Sequence, residues 1–160
     1  MQSGSVVAIF TAGEAEALPS PRDVVNAVAG QGLEGDRYFD EGGTFSDNPR
    51  SNGRDITLVE AEAVEGLARD TGIELEPAET RRNILTRGVA LNDLVGRRFA
   101  VGEVECVGRR LCDPCSHLQK LTQPGVLKGL ANRGGLRADI VRGGVIRPGD
   151  ELRELGSADG

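Results

Sequence analysis

Arg81–Arg110 reads RRNILTRGVALNDLVGRRFAVGEVECVGRR, and this stretch decides the fold class. Its apolar residues come in short bursts set between glycines, the signature of strands and turns instead of the sustained 3.6-residue period of a helix. It predicts a short strand over 81–86, a loop and turn over 91–96, and strands over 97–101 and 104–109.

Reading outward toward the N-terminus, Ile56–Val59 is a strand signal, and helical spacing follows it. Val59, Ala63, Val64, Leu67 and Ala68 fall on one face, with Gly72 where a helix stop belongs. Val6–Phe10 reads as a buried strand, and Val24–Ala29 as another after the turn signals Pro19 and Pro21. Between Gly30 and Gly53 the chain is glycine-rich and has little periodicity. A loop that long in one domain is commonly functional or partly disordered. Gly30-x-Gly32-x-x-Gly35 matches the dinucleotide fingerprint in spacing, but Asp36-Arg37-Tyr38-Phe39-Asp40 opens no helix, so the match lacks its context.

Outward toward the C-terminus, Cys112–Leu121 predicts a Pro-containing turn into a short helix. A second helix over about Val126–Asn132 stops at Gly134-Gly135. Leu136–Val141 and Glu151–Leu155 read as closing strands joined through Pro148-Gly149-Asp150, with a disordered tail over 156–160. The sum is about eight strands with two or three helices, clustered without regular βαβ alternation. That predicts one domain over 1–155, α+β and mainly antiparallel, barrel-like.

Composition excludes several function classes. The 160 residues carry 25 Asp+Glu against 19 Lys+Arg, a net charge of −6, and only five aromatics. Neither the charge nor the shortage of stacking platforms suits a nucleic-acid binder. No window approaches the roughly 20 apolar residues of a membrane span, and the N-terminus reads as a first strand, not a signal peptide. Three cysteines cannot close a disulfide framework, so the expected compartment is the cytoplasm. Only Lys120 and Lys128 among the basic residues are lysines. Arginine's rigid fork suits phosphate or carboxylate recognition, although coding bias gives the same count.

The strongest chemical signal is Leu111-Cys112-Asp113-Pro114-Cys115-Ser116-His117, with two cysteines and the one histidine together. At a helix start, Cys115 would have its thiolate favoured by unpaired N–H groups, and a thiolate can ligate a soft metal or carry a persulfide. Four readings compete: structural zinc with Cys106 and His117 completing the ligand set, a dithiol pair, a single functional thiol at Cys115, and two buried cysteines acting as small hydrophobes. Arg81-Arg82-Asn83 is the second signal. Adjacent arginines at the start of a strand point in different directions, and an inward guanidinium needs an anionic partner. Gly35-Asp36-Arg37 is the third, with Asp36 able to orient Arg37 or Arg81. Gly134-Gly135-Leu136-Arg137 adds one more arginine after a helix stop.

Taken in order, these pieces resemble the MOSC domain, the C-terminal domain of molybdenum-cofactor sulfurases that also occurs as stand-alone bacterial proteins. The resemblance rests on GLEGDRY at 32–38, DITLVEAEAVEGL at 55–67, RRNILTRGVALNDLVGRRFAVGEV at 81–104, LCDPCSHL at 111–118 and RGGLRADIVRGGVIRPGDEL at 133–152. It implies a β-barrel with flanking helices, the molybdenum cofactor (Mo-pterin) as ligand, and a cysteine that ligates molybdenum or carries sulfur, which maps to Cys115. The family's Arg-x-Asn-Ile element maps to Arg81, Asn83 and Ile84, beside the pterin. Arg37, Asp36, Arg82 and Arg137 are the further candidates for holding it. A protein partner for sulfur or electron transfer is part of the same expectation. The alternative is a non-catalytic module whose arginine-lined pocket takes a small phosphorylated or carboxylated ligand.

Overall fold

The computed structural model describes residues 2–13, 19–36, 53, 55–112 and 133–157. Seven strands close a barrel: β1 (Ser3–Thr11), β5 (Ile56–Glu60), β6 (Ile84–Arg87), β7 (Arg97–Val101), β8 (Val104–Leu111), β9 (Leu136–Arg142) and β11 (Glu151–Ser157). The order around the wall is β11-β7-β8-β9-β5-β6-β1, and β1 returns to β11 through Ser3–Arg153 and Ser5–Glu151 pairs. β2 (Ser20–Arg22) hangs on β1, and a small sheet joins β10 (Gly144–Ile146), β3 (Val25–Val28) and β4 (Gly32–Leu33). The α+β, mainly antiparallel barrel expected from the sequence is therefore the observed architecture.

Period-two alternation builds the barrel interior. Ile56 and Leu58, Ile84, Val104 and Cys106, and Leu136, Ala138 and Ile140 point inward to one core. Val25, Ala27, Leu33 and Ile146 of the small sheet join that core. β5 and β6 pair in parallel, and a parallel pair needs a crossover of a dozen or more residues. Helix α1 (Ala61–Thr71) and a 3-10 turn at Pro77–Thr80 supply it. α1 ends where the spacing placed it, with Gly72 left-handed (φ 76°) and its N–H on the Ala68 carbonyl. Phe10, Val59 and Leu85 on the outer wall pack against Ala61, Val64 and Ala78 of this crossover. β5 is thus covered on both faces, and its residues from Ile56 to Val59 are all buried.

Several boundaries depart from expectation for local reasons. The stretch around Pro19 and Pro21, expected as a turn, contains β2; a three-residue edge strand tolerates Pro21 because that side needs no donor. The strand expected from Arg81 starts at Ile84, because Arg81 caps the 3-10 turn in the left-handed region (φ 64°). Leu91–Leu94 is a 3-10 turn within the stretch expected as a loop and turn. β10 was not foreseen behind Gly143-Gly144, and β11 runs to Ser157, past the expected start of the tail. α1 is the one α-helix among the described residues. The helices expected over Cys112–Leu121 and Val126–Asn132, together with Arg37, Cys115, His117 and residues 158–160, lie outside them. Among the described residues no helix is long and apolar enough to cross a membrane.

Candidate functional site

One row of residues crosses the outer wall over five strands: Arg110 (β8), Arg137 (β9), Thr57 (β5), Asn83 at the start of β6, and Phe10 (β1). Ladder register aligns Arg110 with Arg137 and Arg137 with Thr57. Hydrogen bonds continue the line. The Thr57 N–H and hydroxyl both donate to Asn83 Oδ1 at 3.1 Å, and Asn83 Nδ2 donates to the Phe10 carbonyl at 3.2 Å. The side chain of Asn83 is buried and its polar atoms are taken, so it acts by pinning three strands in register.

Asp36 is also buried. Its Oδ1 accepts the Ala12 N–H at 3.0 Å, which attaches β4 and its turn to the end of β1, two residues beyond Phe10. Arg22 donates to the Thr11 hydroxyl in the same corner, at 3.4 Å. Asp36, Asn83, Arg82 and Arg137 therefore gather on one side of the barrel.

Arg81 caps the 3-10 turn and Arg82 follows it directly. Among the described residues Arg81 alone is a non-glycine with positive φ, a conformation that costs about 1–3 kcal/mol. The 3-10 turn before it is held by a reciprocal pair of Glu76 and Glu79 contacts, with Glu76 N–H on Glu79 Oε1 at 3.0 Å. The Arg82 side chain takes main-chain acceptors. Its Nε donates to the Gly134 carbonyl at 3.0 Å and its Nη2 to the Cys112 carbonyl at 3.4 Å. The Cys112 N–H donates to the Gly135 carbonyl at 2.7 Å. One guanidinium thus clamps both ends flanking residues 113–132, the segment that bears Cys115. Gly135 (φ 118°) makes this possible, since a Cβ there would overlap the Leu58 carbonyl oxygen.

The cysteines separate by environment. Cys106 is fully buried in the barrel core, and burial, then the nearby Asp55, Asp139 and Glu105 carboxylates, push its thiol far above the ordinary range. It stays protonated, and about six residues of strand, roughly 20 Å, separate it from Cys112. The zinc reading that required Cys106 as a ligand is therefore ruled out by geometry. Cys112 is free and 1% exposed, with both backbone groups engaged as above. Among the described residues no cluster of three or more His, Cys, Asp or Glu could hold a metal.

Two residues the sequence reading missed complete this side. Asp139 is buried and accepts Arg109 Nε at 2.7 Å and the Gly53 N–H at 2.8 Å. Arg110 faces Arg137 directly. Their signal was hidden by an irregularity in the β8–β9 ladder that periodicity does not reveal.

Comparison with known proteins places this architecture. The chain resembles the crystal structure of the YuaD protein from Bacillus subtilis, with a TM-score of 0.79 at 18% identity over 94% of each chain. It also resembles YiiM from Geobacillus stearothermophilus (TM-score 0.71, 15% identity, 95% of this chain and 75% of that one). YiiM from Escherichia coli is similar too (TM-score 0.67, 17% identity, 94% and 69%). At these identities the likeness shows a common fold. No curated protein matches the sequence. The MOSC domain model matches residues 46–153, about two-thirds of the chain and most of the barrel wall. The chain belongs to the MOSC domain family.

Proposed function

We propose that this MOSC-domain chain works in molybdenum-cofactor or sulfur chemistry, with Cys115 as the thiol that ligates the metal or carries the sulfur. The observation that supports this is the Arg82 clamp. It fixes the Cys112 and Gly134 ends of the segment bearing Cys115 beside the outward polar row. The residues fit an anionic, sulfur-bearing group: arginines for its charge and a thiolate for a soft metal. Arg81 and Arg137 hold the anion, with Arg37 and Asp36 supporting. Arg82 and Asn83 act by positioning, because main-chain groups and Thr57 already take their polar atoms. Bound, a molybdenum-pterin cofactor would supply a redox-active soft metal centre within reach of that thiolate.

Sulfur relay uses the same thiol. The Cys115 thiolate attacks the terminal sulfur of a partner protein's persulfide, forming a new S–S bond as the old one breaks. The partner leaves as a thiolate. The alternative, a binding module without thiol chemistry, keeps the arginines and dispenses with Cys115.

Anaerobic purification from a host rich in molybdenum cofactor tests the proposal, with bound metal, pterin and intact mass measured on wild type, Cys115→Ala and Cys112→Ala. Near-stoichiometric molybdenum and pterin, or one extra sulfur on Cys115, is expected in wild type. Both should vanish in Cys115→Ala and largely persist in Cys112→Ala. Absence of metal, pterin and extra sulfur from the wild type would defeat it and leave the binding-module reading.

A further inference from the structure

The least explained feature of the wall is a pair of like charges placed face to face. Arg110 and Arg137 are directly opposed in the antiparallel β8–β9 ladder. Such neighbours have Cβ atoms about 5 Å apart, and like charges there destabilise a sheet. The register skips Arg109, so β8 bulges and two of its residues oppose the single Arg137. Three guanidinium groups therefore share one patch on a chain whose net charge is −6.

Among the described residues, one of the three has a carboxylate partner. Arg109 is bound by Asp139, whose second oxygen is taken by the Gly53 N–H. Asp55, just before β5, accepts the Ile140 N–H at 2.9 Å. Among the described residues neither Arg110 nor Arg137 has a carboxylate or carbonyl partner. Gly53 crosses directly over the patch. A Cβ at Gly53 (φ 77°) would lie 2.8 Å from Arg137 Cβ and 3.3 Å from Arg109 Cβ, so only glycine lets the backbone pass while the arginines keep their positions.

We infer that Arg110 and Arg137 form a clamp for a tetrahedral oxyanion, a phosphoryl group above all, set on the outer wall by the β8 bulge. Two convergent forks match the geometry and charge of a phosphate dianion, and binding it converts their mutual repulsion into attraction. Arg109 and Asp139 act as positioning residues that hold the bulge. The clamp lies two residues before Cys112, on the strand that leads to Cys115. It rests on the proposed function only in giving this chain an anionic ligand; it needs no thiol.

The test is thermal unfolding and titration calorimetry with inorganic phosphate at constant ionic strength. The proteins are wild type, Arg110→Gln, Arg137→Gln, the double variant, Cys115→Ala, and Arg147→Gln as an exposed arginine elsewhere. Saturable protection is expected in wild type, Arg147→Gln and Cys115→Ala. Each single clamp variant should weaken apparent affinity about tenfold, and the double should abolish saturation. Without phosphate the double variant should unfold no lower than wild type, because a repulsive pair has been removed. Undiminished protection in the double variant, its loss in Cys115→Ala, or no saturable protection of wild type would overturn the clamp. Loss of cofactor or sulfur chemistry alone would leave it standing. A phosphomonoester that competes with inorganic phosphate assigns the clamp to an esterified ligand such as a cofactor; one that is excluded assigns it to the free oxyanion.

Discussion

Replacing Asn83 by Ala separates a structural role from a ligand-binding one. The substitution removes two bonds accepted from Thr57 and one donated to Phe10, all among buried groups. Alanine leaves the Thr57 N–H and the Phe10 carbonyl without these partners in the barrel wall. Each buried group left unsatisfied costs about 1–3 kcal/mol, so the loss sums to roughly 2–6 kcal/mol. For a domain of this size about 2–4 °C accompanies each kcal/mol, which puts the fall in Tm at about 5–20 °C. The assay is thermal and urea denaturation of the ligand-free protein followed by circular dichroism. Asn83→Asp sharpens it. A carboxylate there is desolvated and faces the Phe10 carbonyl oxygen, so its folded pKa lies above the unfolded value. Asn83→Asp should therefore be destabilised at neutral pH and recover as pH falls through that pKa. If Asn83→Ala unfolds within about 2 °C of wild type, the pinning argument is wrong and the residue serves a ligand.

Two further predictions follow from buried or strained groups. Glu60 sits half-buried at the end of β5. Desolvation raises its pKa above the ordinary carboxylate value, with Glu62 and Asp93 adding to it against the Leu91 N–H that Oε2 accepts at 3.1 Å. A raised carboxylate pKa means the ionised form costs stability above the folded pKa and the cost disappears as pH falls through it. Glu60→Gln keeps the acceptor and should raise Tm slightly at pH 7, with the gain shrinking toward acid. The wild-type difference isolates this from Glu65, Asp70 and Glu154, whose lowered values act in the opposite direction. A gain that grows on acidification would contradict the assignment. Gly135→Ala places a Cβ against the Leu58 carbonyl at φ 118° and should cost at least about 1–3 kcal/mol. It should also expose the Cys112 thiol by loosening the bond between the Cys112 N–H and the Gly135 carbonyl, which native-state labelling reads directly.

The parts of this molecule legible in the sequence are those governed by period and glycine. α1 and its Gly72 stop, the burst of strands after Arg81, and the antiparallel barrel all follow from local pattern. β2 escaped because Pro21 is a breaker in a central strand but harmless at an edge. β10 escaped because Gly143 and Gly144 weaken a strand signal, while Gly143 in fact fits closely over the Ala27 carbonyl. The site residues show the same division. That a guanidinium of the Arg81-Arg82 pair needs an acceptor was legible from its charge. That Arg82 takes main-chain carbonyls could not be read, because its partners are 30 and 52 residues away. The ligand role expected of Asn83 comes from the family's Arg-x-Asn-Ile element, whereas its bonds to Thr57 and Phe10 reach 26 and 73 residues along the chain and leave no local signal. Arg110 stayed invisible because one skipped residue at Arg109 sets which face it shares.

The reactivity of the three thiols decides whether Cys115 is the functional one. Native protein is alkylated near neutral pH, and the rate at each cysteine is followed by peptide mass spectrometry. Cys106 is neutral and sealed in the core, and Cys112 is 1% exposed, so neither should react until the barrel unfolds. Cys115 alone should react, faster than an ordinary thiol, and Arg82→Ala should slow it by releasing the clamped ends of its segment. Equal or faster labelling of Cys112, or a Cys115 no more reactive than the cysteines of the denatured chain, would contradict that assignment.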